Sequence, residues 1–204
     1  MDNLVIDFPT VIKKFDRILS RGLCAGVGSP DGQMCIEAAI CVSLGLPFGD
    51  NPSCVERAVR FFKIRLNDSN RWVSAESRAR GLRDLGIAQI GSKGVVDGSE
   101  FSKRLVEKTI RILLPKLFRQ LFPTHTKLLA VALRCEKEGT KAAASAAAAD
   151  AADTASAAAA TYAADAADAA DASDAKNPES YLLLSTQLAL EVLRELKSPG
   201  VDWL

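Results

Sequence analysis

The sequence predicts an all-α protein, a bundle of about seven or eight helices with an alanine-rich helical C-terminal half. Three observations lead to this prediction. Apolar residues recur at helical spacing along most of the chain. No segment combines alternating polar and apolar residues with the turn signals of a hairpin. Residues 141–176 consist largely of alanine, the residue with the highest helix propensity.

Two helical subdomains are expected, one over residues 1–98 and one over residues 99–204. The first should be organised around a central helix, Cys35–Leu44, whose residues are apolar on nearly every side. A helix of that kind is typically buried. We expect it to begin near Asp31, because an aspartate can accept hydrogen bonds from the free amides of a first helical turn.

Caps and apolar spacing predict the neighbouring helices. A helix over residues 9–20 carries one apolar stripe that includes Phe15. Ser53 and Glu56 fit a capping box at the start of another helix, whose apolar face leaves Lys63 and the nearby arginines largely on other faces. Pro115 lies inside a later apolar helix and should kink or break it, since proline lacks an amide proton.

The alanine-rich tract covers residues 141–176 and should be helical wherever it is supported. Its small side chains allow another backbone to approach closely, so the tract is a candidate surface for a homo-oligomer. Repeated aspartates interrupt it, and charges are costly inside a bilayer, so we expect no membrane span. A last helix should follow Pro178.

Charge is unevenly distributed along the chain. Residues 1–140 hold 22 basic and 15 acidic residues, a net of +7, whereas residues 141–176 hold two lysines and six aspartates, a net of −4. The basic part could attract an anionic partner, or it could simply face the acidic part.

The N-terminus has no apolar stretch of the kind found in secretory signals, so we expect a cytoplasmic protein with reduced thiols. The five cysteines show no Cys-x-x-Cys spacing, and the chain has one histidine. No metal site and no cofactor are therefore predicted. Glu37 is a lone carboxylate on the central helix and needs either a raised pKa or a basic partner, for which we expect one of the arginines that follow.

Cys35 is the candidate nucleophile of an enzymatic alternative. It lies in the first turn of the predicted central helix, where free amides lower the pKa of a thiol. The helix ends in Gly45-Leu46-Pro47. This stretch resembles the helix start of transglutaminase-like and papain-like cysteine enzymes. The resemblance implies a cysteine-dependent hydrolase or transferase that uses Cys35, with His125 as the sole candidate base.

A run of basic residues with an embedded tryptophan is the candidate binding surface, formed by Arg57, Arg60, Lys63, Arg65, Arg71 and Trp72. Such a patch suits a protein partner or a small anionic ligand, and less so a nucleic acid. The alternative is a solvated helical surface, whose charge is offset by interspersed acidic residues such as Glu56 and Asp68.

The string from Cys35 through Asp68, followed by an alanine-rich helical region, resembles proteins of bacteria and their phages. Residues 100–175 are similar to a family of immunity proteins associated with bacterial toxin systems. This resemblance implies a non-catalytic binding protein of the immunity or counter-defence type, which sequesters a macromolecule or a small anionic ligand.

Overall fold

The computed structural model describes residues 6–152 and 178–204. Its helices are α1 (Phe8–Leu19), α2 (Ile36–Ser43), α3 (Arg57–Asp68), α4 (Ala75–Ala88), α5 (Gly98–Lys108), a π turn (Thr109–Leu113), α6 (Leu114–Leu121), α7 (Thr126–Glu138), α8 (Lys141–Ala152), α9 (Pro178–Glu195) and a 3₁₀ helix (Pro199–Trp203). Two isolated bridges at Met34 are the sole β contacts of these ranges, so the predicted all-α class is confirmed.

The described residues divide into two compact units. The first contains residues 6–101 together with Ala189–Leu204, and the second contains the described part of Ser102–Leu188. The division falls inside α5 and inside α9. Within the described ranges, no helix has both the length and the apolar composition that crossing a membrane would require.

The core of the first unit forms where α1, α2 and α4 pack together. Phe15 lies on the buried stripe of α1 and is completely buried, as its spacing predicts. Gly86 of α4 makes this packing possible, because a Cβ atom there would lie 2.8 Å from the Phe15 ring and 3.1 Å from Ile36. The close contact explains why α4 tolerates a glycine that costs helix propensity.

The central helix begins later than predicted. Cys35, not Asp31, is the N-cap of α2, and its backbone is extended. The preceding loop is held in place by backbone pairing between Leu23 and Met34 and by Asn67, whose amide group donates to the Cys24 carbonyl (2.9 Å). These contacts keep the segment around Asp31 outside the helix.

The predicted capping box at Ser53 and Glu56 is also wrong. Helix α3 starts at Arg57, and the side chain of its N-cap, Glu56, makes no capping hydrogen bond. The backbone before α3 is instead bonded to the segment after α4, because the amide of Glu56 donates to Ser92 Oγ (2.8 Å). The amide of Lys93 donates in turn to the Cys54 carbonyl (3.0 Å).

In the first unit, the C-terminal residues pack against the end of α4 and against α1. The hydroxyl of Ser198 donates to the carbonyl oxygen of Ala88 (2.5 Å). At Gly200 a Cβ atom would lie 2.0 Å from the carbonyl oxygen of Ile87, so this position requires glycine. Trp203 stacks on Phe8 of α1 with the ring centroids 5.0 Å apart.

In the second unit, Pro115 is accommodated without a break. A proline clashes with the carbonyl four residues earlier, and the helix widens into the π turn Thr109–Leu113 directly before it. The amide of Leu114 bonds to the carbonyl of Thr109, five residues back. Arg111, which lies in this turn, donates to the carbonyl oxygens of residues 136–138 at 2.8–3.0 Å and so caps the end of α7.

The first part of the alanine-rich tract packs on α7. Ala143, Ala144 and Ala147 of α8 are buried in one cluster with Leu128 and Cys135. The methyl side chains let the two helices approach closely, as the composition predicts. The predicted tract continues to residue 176, and its part beyond α8 lies outside the described residues.

Candidate functional site

A fully buried polar cluster lies at the centre of the first unit. Glu37 on α2 and Lys63 on α3 are both 0% exposed, and Lys63 Nζ lies 3.2 Å from Glu37 Oε1. Gln89, the C-cap of α4, donates from Nε2 to Glu37 Oε2 at 3.0 Å. We call these three residues the buried triad. One carboxylate therefore links α2, α3 and the end of α4.

Burial acts on both charges of the triad. It raises the pKa of Glu37, while the ammonium group of Lys63 opposes that shift. Burial also lowers the pKa of Lys63, and the carboxylate of Glu37 opposes this shift. Beyond the ion pair, Lys63 Nζ has no hydrogen-bond partner among the described residues. Each charge thus depends on the other to remain ionised in the interior.

The predicted partner of Glu37 was an arginine, and this was wrong. The expectation that Lys63 lies off the buried face of α3 was wrong as well. Lys63 follows Val59 by four residues and precedes Leu66 by three, and all three side chains are buried on one stripe. The spacing was visible in the sequence, but a lysine on an apolar stripe is normally assigned to the surface.

A separate cleft of about 330 Å³ opens at the start of α3, and we call it the α3 cleft. Its lining comes from the first turn of α3, from the segment before that helix and from one lysine after α4. Its lining residues are Asn51, Pro52, Ser53, Val55, Glu56, Arg57, Arg60 and Lys93. The hydrogen bonds that join residues 54–56 to residues 92–93 therefore also build this cleft.

The lining of the α3 cleft is positively charged. Three of its lining residues, Arg57, Arg60 and Lys93, are basic, and one, Glu56, is acidic. The guanidinium group of Arg60 donates to Asn51 Oδ1, but its buried Nε atom has no hydrogen-bond partner among the described residues. An arginine with spare donors in a cleft is suited to a carboxylate or a phosphate group.

The ring of Phe61 contacts the guanidinium groups of both Arg57 and Arg60. The guanidinium carbon of Arg57 lies 5.2 Å from the centroid of the Phe61 ring, and that of Arg60 lies 5.0 Å from it. Phe61 itself is 47% exposed. Cation–π contacts of this kind limit the freedom of long side chains, so less conformational entropy is lost when a ligand binds.

The structure brings together only part of the predicted binding patch. Arg57 and Arg60 line the α3 cleft, whereas Lys63 belongs to the buried triad. Arg65 and Arg71 do not line the cleft. Trp72 is buried, and its indole nitrogen donates to the carbonyl of Leu66 at 2.8 Å, so this side chain has a structural role.

Sequence reasoning missed Asn51 and Lys93 as lining residues. Lys93 lies more than thirty positions after Arg60 and belongs to no basic run. Its place in the cleft depends on backbone hydrogen bonds between two irregular segments. No periodicity or motif in the sequence indicates that pairing.

Cys35 does not have the environment of an activated nucleophile. Its side chain is 3% exposed, and Sγ accepts a hydrogen bond from the amide of Ala38 at 3.3 Å. Burial raises the pKa of the thiol, and this effect exceeds the lowering by the helix amides. The expected lowering of its pKa is therefore not found. The cavity of about 40 Å³ beside Cys35 has room for a water molecule or two rather than a substrate.

The candidate base, His125, has a structural place of its own. It is the N-cap of α7 in the second unit, and its Nδ1 atom accepts a hydrogen bond from the amide of Leu128 at 3.3 Å. Because the chain has a single histidine, the first unit, which contains Cys35, has none.

We expect Cys35 to react slowly with iodoacetamide in the native protein, and more slowly than the half-buried Cys24. The reactive form is the thiolate, so the alkylation rate of Cys35 should still be rising above pH 9.0, the ordinary pKa of a thiol. Mass spectrometry after timed alkylation at several pH values measures both rates. A rate profile for Cys35 with its midpoint below neutral pH would support the enzymatic alternative instead.

Among the described residues, no group of three or more histidine, cysteine, aspartate or glutamate side chains is arranged to hold a metal ion. Comparison of the chain with protein-family models, with curated proteins and with solved structures gave no match.

Proposed function

We propose that this protein is a non-catalytic binding protein that takes up a small anionic ligand in the α3 cleft. The observation that supports this most strongly is the convergence of Arg57, Arg60 and Lys93 on one cleft that contains a single carboxylate. Among the described residues neither Arg57 nor Lys93 forms an ion pair, and Arg57 lies over the Phe61 ring.

The size of the cleft favours a small molecule over a protein partner or a nucleic acid. Its volume of about 330 Å³ lies at the lower end of the range usual for ligand pockets, about 300–1,000 Å³. The apolar side chains of Pro52 and Val55 provide a surface for the uncharged part of such a ligand. The polar groups of Asn51 and Ser53 add hydrogen-bonding capacity.

A role in immunity or counter-defence rests on the sequence resemblance alone and stays a prediction, as does a cytoplasmic location. Sequestration of an anion would be compatible with such a role. No observation at Cys35 favours the alternative of a cysteine-dependent hydrolase or transferase, because the thiol is buried and its unit contains no histidine.

Isothermal titration calorimetry with inorganic phosphate, citrate and AMP tests the proposal. We expect at least one of these anions to bind, and we expect Arg60→Glu or Lys93→Glu to weaken that binding by about tenfold or more. The estimate follows from the roughly 1.5–3 kcal/mol that a hydrogen bond to a charged group contributes.

Arg65→Glu is the matched control, because Arg65 is exposed on the same helix and does not line the cleft. It changes the net charge by the same amount and should leave binding nearly unchanged. The proposal fails if none of the three anions binds, or if Arg65→Glu weakens binding as much as Arg60→Glu does.

A further inference from the structure

We propose that the buried triad of Glu37, Lys63 and Gln89 is the positioning element of the α3 cleft, which it holds in the geometry that receives an anion. This inference rests on the proposed function. The two clusters are separate, since no member of the triad lines the cleft. They are connected through the elements that carry their residues.

The first connection runs along α3. Arg60 precedes Lys63 by three residues, so the two side chains lie on adjacent turns of one helix. The ion pair between Lys63 and Glu37 fixes how α3 is rotated against α2. That rotation determines where the guanidinium group of Arg60 enters the cleft.

The second connection runs through the segment after α4. Gln89 is bonded to Glu37, and Lys93 follows four residues later. Between them the chain turns at Gly91, whose φ of 78° lies in the left-handed region. Two hydrogen bonds then join this segment to the one before α3: the amide of Lys93 donates to the Cys54 carbonyl, and the amide of Glu56 donates to Ser92 Oγ. Glu37 is therefore linked to both segments that carry the basic lining residues, α3 through Lys63 and residues 89–93 through Gln89.

Electrostatics adds a direct connection. The positive charge of Arg60 acts on the carboxylate of Glu37 and helps to keep its pKa from rising further. The guanidinium group of Arg60, which lines the cleft, also donates to Asn51 Oδ1. The Nε atom of Arg60 is buried and has no hydrogen-bond partner among the described residues.

The energetics of buried ion pairs agree with a positioning role. Such a pair often contributes no more stability than apolar residues of similar volume, because desolvation offsets the attraction. Its contacts are directional, however, and an apolar pair would leave α2, α3 and the end of α4 free to adjust. A positioning role explains the presence of charges at a place where apolar residues would pack as well.

The decisive variant is the double replacement Glu37→Leu with Lys63→Met, which removes both charges and keeps a comparable volume. We expect a melting temperature close to that of the wild type and binding of the anion panel, inorganic phosphate, citrate and AMP, weakened at least fivefold. In the ¹H–¹⁵N spectrum of the unliganded protein, the amide signals of Arg60 and Lys93 should move. Ser43→Ala, a buried polar change elsewhere on α2, is the control and should alter neither.

Gln89→Leu provides a second variant in case the double replacement does not fold. It removes one hydrogen bond, and it should move the Lys93 signal and weaken anion binding. If the wild type binds an anion and both variants bind it equally well with unmoved Arg60 and Lys93 signals, the positioning inference is overturned and the proposed function stands. If the wild type binds none of the three anions, the proposed function fails and the positioning inference fails with it.

Discussion

Replacing Lys63 by methionine is expected to lower the free energy of unfolding by about 3–5 kcal/mol. The change removes the only ion-pair partner of Glu37 in the described structure and leaves a carboxylate that is 0% exposed. The remaining contact of that carboxylate is the hydrogen bond from Gln89. An unpaired charge in the interior must either be neutralised or be reached by water, and both are costly.

The double variant Glu37→Leu with Lys63→Met should recover most of that loss, because it removes both charges together. Urea unfolding followed by tryptophan fluorescence gives the four free energies of a double-mutant cycle. Both tryptophans, Trp72 and Trp203, lie in the first unit and report on it. A loss below about 1 kcal/mol for Lys63→Met alone would show that the ion pair does not form in solution.

Phe15→Ala is expected to destabilise the protein by about 3–5 kcal/mol, the range usual for removing a buried phenylalanine. The Phe15 side chain is completely buried, and its ring lies 2.8 Å from where a Cβ atom on Gly86 would be. Glycine at position 86 cannot expand to fill the space that the ring leaves, so the cavity should persist.

Phe61→Ala is the matched control for that variant, since the Phe61 ring is 47% exposed. It deletes the same atoms from a surface position on α3 and should cost less than about 1 kcal/mol. Equal losses for Phe15→Ala and Phe61→Ala, measured by the same urea unfolding, would contradict the assigned core of the first unit.

The fold class was accessible from the sequence because it depends on local signals. Helical spacing placed Phe15 on a buried stripe of α1, as the structure shows. The starts of α2 and α3 were predicted too early for one shared reason. Contacts with distant residues, Asn67 in one case and Ser92 in the other, hold those segments outside the helix.

The candidate site was accessible only in part. The run of arginines indicated the right region, since Arg57 and Arg60 do line the cleft. The partner of Glu37 could not be derived, because local sequence does not show that a lysine shares the buried stripe of Val59 and Leu66. The cleft itself depends on Lys93, which reaches it through tertiary hydrogen bonds that no spacing encodes.

A ¹H–¹⁵N titration of the wild-type protein with inorganic phosphate, citrate and AMP tests the central claim most directly. If the protein takes up an anion in the α3 cleft, the saturable shifts should concentrate on residues 51–60 and on Lys93. Shifts confined to other basic residues, such as Arg80 and Arg83 in the separate cleft between α1 and α4, would contradict it, as would an absence of saturable shifts with every anion.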